Sequence, residues 1–128
     1  MSTENNKNIV RLFIEKVVNT GDFADIKKYT SPTFCEEAKS HILAVRKTFP
    51  DLHLTIEQQI AEGDWVATRV TARGTHKGEW VGMKPTNKKV EISGVNIDKV
   101  IDDFIVEHGG AANIFEALLE IGAIKPVS

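Results

Sequence analysis

Three side chains in this sequence can carry proton chemistry from positions where strands would hold them. His76 follows Gly74-Thr75 at a strand end, with Glu79 three residues on and Trp80 beside it. Imidazole titrates near neutral pH, so His76 suits acid or base work at a cavity rim, or else a turn in which its neighbours hydrogen-bond it. Asp98 lies in Val95-Asn96-Ile97-Asp98-Lys99-Val100, where alternation puts Asn96 and Asp98 on one face and Val95, Ile97 and Lys99 on the other. If Val95 and Ile97 face the core, Asp98 is solvated. If they face a partner subunit, Asp98 lines a pocket, where burial raises a carboxyl pKa towards working pH and makes it a general base. Arg69 sits in the middle of a strand, where an arginine either pairs with a carboxylate, Asp98 or Glu107, or faces solvent.

The other candidates flank these. Trp80 either packs or forms part of a ligand wall, and Gly109-Gly110-Ala111-Ala112 removes bulk beside it, enlarging a cavity or leaving room for a tryptophan to fill. Asn113, with Glu116 three residues later, has the spacing of a helix-capping box; otherwise its amide orients a ligand carbonyl or a water. His108 falls on the face opposite Glu107 and Gly109, so if those two face a cavity it points away. His41 rides a helix stripe and reads as a core-edge residue, while His53 reads as surface. Four histidines so dispersed have no metal-ligand spacing, and the single cysteine, Cys35, excludes an intrachain disulfide or a thiolate cluster. No metal site is expected, and Cys35 reads as a small buried residue.

The elements that must position these residues fall into two groups. Residues 4–19 predict a helix with Ile9, Leu12, Phe13 and Val17 on one stripe, ended by Asn19-Thr20-Gly21. A second helix is expected over 22–29, broken by Ser31-Pro32, and a third over 36–48, closed by Pro50-Asp51. From Leu52 the apolar period changes to two. Strands are expected at 52–60, 65–75, 79–82, 89–101 and 104–108, with turns at Glu62-Gly63-Asp64 and Asp102-Asp103. A last helix over 113–121 stops at Gly122. Helices first and antiparallel strands afterwards give an α+β fold: a curled antiparallel (mixed) sheet packed against N-terminal helices, a cone enclosing a pocket.

At 128 residues the chain fits a single domain over 1–128, with 41% apolar and 27% charged residues. A formal net charge of −2 and scattered basic residues give no electrostatic reason to expect nucleic acid or an anionic membrane as partner. Residues 1–8 are unlike a secretory signal and no apolar run reaches membrane-spanning length, so a cytoplasmic location is expected.

In order along the chain stand Asn19-Thr20-Gly21-Asp22, Thr48-Phe49-Pro50-Asp51-Leu52 and Ala61-Glu62-Gly63-Asp64, the last followed by Val66 and Arg69. Gly74-Thr75-His76-Lys77-Gly78-Glu79, Pro85-Thr86, Ser93-Gly94-Val95, Ile105-Val106-Glu107-His108 and Leu118-Leu119 with Ile121-Gly122 complete the series. This order and spacing resembles the SnoaL-like polyketide cyclases, within the nuclear-transport-factor-two-like superfamily. The resemblance implies a homodimer or small oligomer with an apolar cavity in each subunit. It implies a small apolar carbonyl compound as ligand, a polyketide ester closed by an intramolecular aldol reaction without metal or organic cofactor. Asp98, His76 and Arg69 are then the expected catalytic residues, with Asn113, Asn96, Glu107, Gly109 and Trp80 around the ligand. Where the family places a tryptophan and then an acid/base aspartate, this chain has Gly109 and Asn113, and its segment before Glu36 is short. Those differences leave two further expectations. One is a ligand-binding or dimerisation domain without catalysis; the other is water activation by a carboxylate and an arginine, as in epoxide hydrolases of this fold.

Overall fold

The computed structural model describes residues 2–127. Helix α1 (Thr3–Phe13) starts where the Ser2 hydroxyl accepts the Asn5 N–H at 3.0 Å, and it buries Ile9, Val10 and Phe13. It widens into one π turn, Ile14–Val18, closed by the Asn19 N–H on the Ile14 carbonyl at 2.9 Å. The helix expected over 22–29 shrinks to a 3-10 turn, Ile26–Lys28. There the Asp22 carboxylate accepts the Ala24 N–H at 2.9 Å, a local bond that competes with helix formation. Ser31-Pro32 starts a helix and does not break one. The Ser31 hydroxyl accepts the Phe34 N–H at 3.3 Å, and Pro32 occupies the first turn of α2 (Pro32–Thr48), where its missing N–H costs nothing.

Four strands come next, β1 (His53–Glu62), β2 (Trp65–Thr75), β3 (Lys89–Ile101) and β4 (Phe104–Ala112), joined in the order β1-β2-β3-β4, each antiparallel to its neighbour. Gly63, at φ 56°, serves the first hairpin, and Asp102 and Asp103, at φ 50° and 70°, form the last. Residues 79–82 form no strand: Trp80 and Met83 bridge across a tight turn with Val81 and Gly82 at positive φ. Helix α3 (Phe115–Glu120) closes the fold, with Gly122 at φ 79° just past its end. Asn113 does not cap this helix; its N–H extends the ladder to the Ser93 carbonyl at 2.8 Å, and Ile114 takes the cap position without a side-chain bond.

The result is an α+β fold, three α-helices against a curled four-stranded antiparallel sheet, as the pattern of the sequence predicts. Register shifts in β1–β2 and β3–β4 mark the bulges that help it curl. The inner face buries Val66, Val70, Val100 and Ile105 against Val10, Phe13, Phe34 and Ile42 from the helices. A second cluster, Phe49, Leu52, Val90, Ala117 and Ile121, sits at the α3 end. One connection fixes α2 against β4: the Ile105 N–H donates to the Tyr29 carbonyl at 2.8 Å and the Ser31 N–H to the Ile105 carbonyl at 3.0 Å. Among the described residues no helix is long and apolar enough to cross a membrane.

Candidate active site

The inner face of the sheet and helix α2 enclose a cavity of about 810 Å³ whose walls come from both hydrophobic clusters. Phe13, Phe34, Ile42, Phe49, Leu54 and Ile92 are among its apolar lining. Its polar lining comes from four elements: Glu37, His41 and Thr48 on α2, Arg73 on β2, Asn96 and Asp98 on β3, and His108 on β4. The small-residue stretch Gly109 to Ala112 continues the β4 wall.

Asp98 and His108 face each other in the β3–β4 register, and the Asp98 Oδ1 lies 2.6 Å from His108 Nδ1. The Asp98 side chain is 4% exposed and that of His108 is 30% exposed. A carboxylate this buried needs a donor, and the imidazole is its partner. The pair works in both directions. The hydrogen bond that His108 donates to Asp98 pushes the His108 pKa above the ordinary histidine value; burial opposes this, and the charges of Asp98 and, more weakly, Glu37 support it. With Nδ1–H donated to Asp98, Nε2 is left to address a ligand.

His41 stands across from this pair, its ring centre 6.2 Å from that of His108 and the planes tilted by 49°. Burial pushes its pKa below the ordinary value, as does the nearby positive charge of His108, while Glu37 pulls the other way. Two imidazoles with oppositely directed shifts thus share one end of an apolar cavity.

The structure decides one open alternative, that of Asp98, and corrects several other expectations from the sequence. Val95 and Ile97 are exposed on the outer face, which leaves Asp98 buried on the inner one. Arg69 pairs with Val95 in the β2–β3 register and is exposed on that outer face, so it meets neither Asp98 nor Glu107 across a strand. Glu107, opposite Lys99, is also exposed and does not line the cavity. The reason is a bulge. Val100 pairs with Ile105 but Lys99 pairs with Glu107, so Val106 is an extra residue that reverses the parity of the strand beyond it. Strict alternation points His108 away; the bulge turns it in. Asn113 is exposed and off the cavity wall.

His76 is not on the rim. It is fully buried behind Phe49 and Trp80, ring centres 6.3 and 5.7 Å away, with Nδ1 3.0 Å from the Thr86 hydroxyl. Its Nε2 is buried without a partner among the described residues. Trp80 does line the cavity, edge-on to Phe49, as do Asn96 and Gly109; Trp65 lies on the outer face under Lys99. Sequence reasoning missed His108 as a pocket residue, and it missed Glu37 and His41. For His41 a signal was present, a polar side chain on a helix stripe otherwise formed by Ala38, Ile42 and Val45.

Residues 8–120 match the family profile of the SnoaL-like polyketide cyclases. Nogalonic acid methyl ester cyclase of Streptomyces nogalater is 26% identical over 118 residues, covering 81% of this chain and 88% of its own length. Aklanonic acid methyl ester cyclase AcmA of Streptomyces galilaeus is 29% identical over 113 residues, covering 77% and 78%. Among solved structures, AclR, a candidate hydroxylase from Streptomyces galilaeus, superimposes with a TM-score of 0.83 at 28% identity, covering 99% of this chain and 87% of its own.

Proposed function

The chain belongs to the SnoaL-like polyketide cyclases, and from that premise we propose that it closes a ring in a polyketide methyl ester by intramolecular aldol addition. The observation that carries this reading is the Asp98–His108 pair at 2.6 Å on the wall of a largely apolar cavity. In such a reaction a base removes a proton from the carbon beside the ester, leaving an enolate. That carbon attacks a ketone carbon of the same molecule, a C–C bond forms, and the ketone's π pair becomes an alkoxide that takes the proton back. No atom is lost or gained. His108, held protonated by Asp98, donates from Nε2 to the carbonyl oxygen on which the enolate charge develops, away from bulk water, where such a bond is strongest. The apolar walls hold the ring system, so that the reacting carbons are kept together.

The test is turnover of nogalonic and aklanonic acid methyl esters followed by chromatography and mass spectrometry. Ring closure leaves the mass unchanged, and His108→Gln is expected to lower the rate on the order of 10²-fold or more. The likeness to AclR favours a second reading, hydroxylation, which would show as a product heavier by one oxygen. Binding of both esters without turnover would support the non-catalytic alternative. Water activation by a carboxylate and an arginine has less support, because Asp98 and Arg69 sit on opposite faces of the sheet.

The active unit is proposed to be a homodimer formed through the outer sheet face. Ile60, Ala67, Ile97 and Gly109 form one row across all four strands, and the next row sets Gln58 and Arg69 beside Val95 and Ala111. Ile60, Ile97 and Val95 are 61%, 45% and 39% exposed, an apolar band that a second copy of the chain would cover.

A further inference from the structure

His41, an exposed residue of α2, lines the cavity beside His108 and has no hydrogen-bond or ion-pair partner among the described residues. We propose that His41 is the base that takes the carbon-bound proton, and that His108 acts only as the donor to the carbonyl oxygen. This assignment rests on the aldol reading above and divides its two proton tasks between two side chains.

The geometry argues for the division. Making an enolate requires two contacts at once: an acceptor at the carbon and a donor at the neighbouring oxygen. Those atoms belong to one small fragment, so the two groups must sit close together and approach it from different sides. Helix α2 supplies His41 and strand β4 supplies His108, two separate elements of the cavity lining, with ring centres 6.2 Å apart. The contact of β4 with the start of α2, through Ile105 and Ser31, holds those elements in place. Asp98 is already committed to His108 Nδ1, and its carboxylate is buried behind that ring. Arg69, Glu107 and His76, the other candidates, do not line the cavity.

The charges agree with the geometry. The charged groups that act on His41 are His108 from β4 and Glu37 from its own helix, with Asp98 of β3 bonded to His108 and Arg73 of β2 also in the cavity lining. Burial and the charge of His108 favour neutral His41, whereas Asp98 favours protonated His108. Neighbouring groups whose titrations are driven apart in this way can serve as base and acid at one pH. His41 then takes the proton from carbon, and its imidazolium returns it to the new alkoxide.

The experiment combines an NMR titration of the imidazoles with kinetics on aklanonic acid methyl ester in D2O. His41 is expected to titrate below 6.5 and His108 above it. The reverse order would overturn the assignment, whatever the substrate. In the kinetics, His41→Gln is expected to lower both exchange of the acidic C–H and ring closure on the order of 10²–10⁴-fold, with KM little changed. It should also remove the acid limb of the kcat/KM profile, and added imidazole should restore part of the rate to His41→Ala. If His41→Gln keeps exchange within a few-fold and keeps the acid limb, while His108→Gln abolishes turnover, His41 is not the base and the cyclase reading survives. If the wild type neither exchanges nor cyclises either ester, the cyclase reading fails and takes the assignment with it.

Discussion

Asp98 and His108 hold each other across two strands, so each determines what the other can do. The folded state raises the affinity of His108 for its proton above that of the unfolded chain. Its contribution to stability is therefore complete below about 6.5 and is lost as pH rises through the raised folded value. His41 acts in the opposite sense: its folded pKa is lowered, so its share is present above 6.5 and is lost as pH falls from there through the lowered folded value. Asp98→Asn should bring the His108 titration down towards its ordinary value and flatten the alkaline loss of stability, which urea unfolding at a series of pH values would measure. An unchanged His108 titration would contradict the pairing. Asn113→Asp tests the opposite idea, that the acid has simply been lost. Because that position is exposed and off the cavity, no gain in ring closure is expected, and a gain would argue for a differently placed site. Asp98 was legible from the sequence only as a conditional, settled by which way Val95 and Ile97 face. Arg69 and Glu107 looked like its partners because carboxylates and arginines in neighbouring strands so often pair, but both share the outer face.

The elements explain why His108 was misplaced. Period-two patterns identified the four long strands and both hairpin turns, since alternation and turn residues are local properties of the sequence. A bulge is a property of pairing between strands. Val106 carries no glycine or other local mark of the extra residue, yet it decides the face of every later residue in β4. Deleting Val106 should remove the bulge and leave His108 two residues after Ile105, still turned in opposite Asp98. The expected outcome is a folded protein by circular dichroism that keeps ring closure, and a loss as large as that of His108→Gln would contradict this reading of the bulge. The backbone after His108 is equally constrained. Gly110 sits at φ 154°, and a Cβ there would lie 2.3 Å from the Val95 carbonyl oxygen. Gly110→Ala should therefore cost about 1–3 kcal/mol from backbone strain alone, with the clash added, read as a lower urea midpoint. The helices were read less accurately where local bonds overrode periodicity, as at Asp22, or where a Ser-Pro pair expected to break one helix starts another.

The molecule as a whole is a curled sheet with two different faces. The inner face and α2 make the cavity; the outer face presents an apolar band of Ile60, Ile97 and Val95. This two-sided arrangement was readable in outline, because helices followed by antiparallel strands leave few ways to bury both sets of apolar stripes. The polar end of the cavity was not, because it gathers side chains from α2, β3 and β4 that are far apart in sequence. Ile97→Glu places a charge at the centre of the outer band. It should convert a dimer into a monomer in sedimentation velocity without changing the His108 titration, whereas a wild type that sediments as a monomer would remove the proposed interface. The central claim is that the Asp98–His108 pair drives proton transfer on a polyketide ester. Its most direct measurement is the steady-state cyclisation of aklanonic acid methyl ester by the wild type, Asp98→Asn and His108→Gln, with folding of each checked by circular dichroism. Both variants are predicted to fold and to lose on the order of 10²–10⁴-fold in kcat. A His108→Gln protein that folds and cyclises the ester at the wild-type rate would contradict the claim.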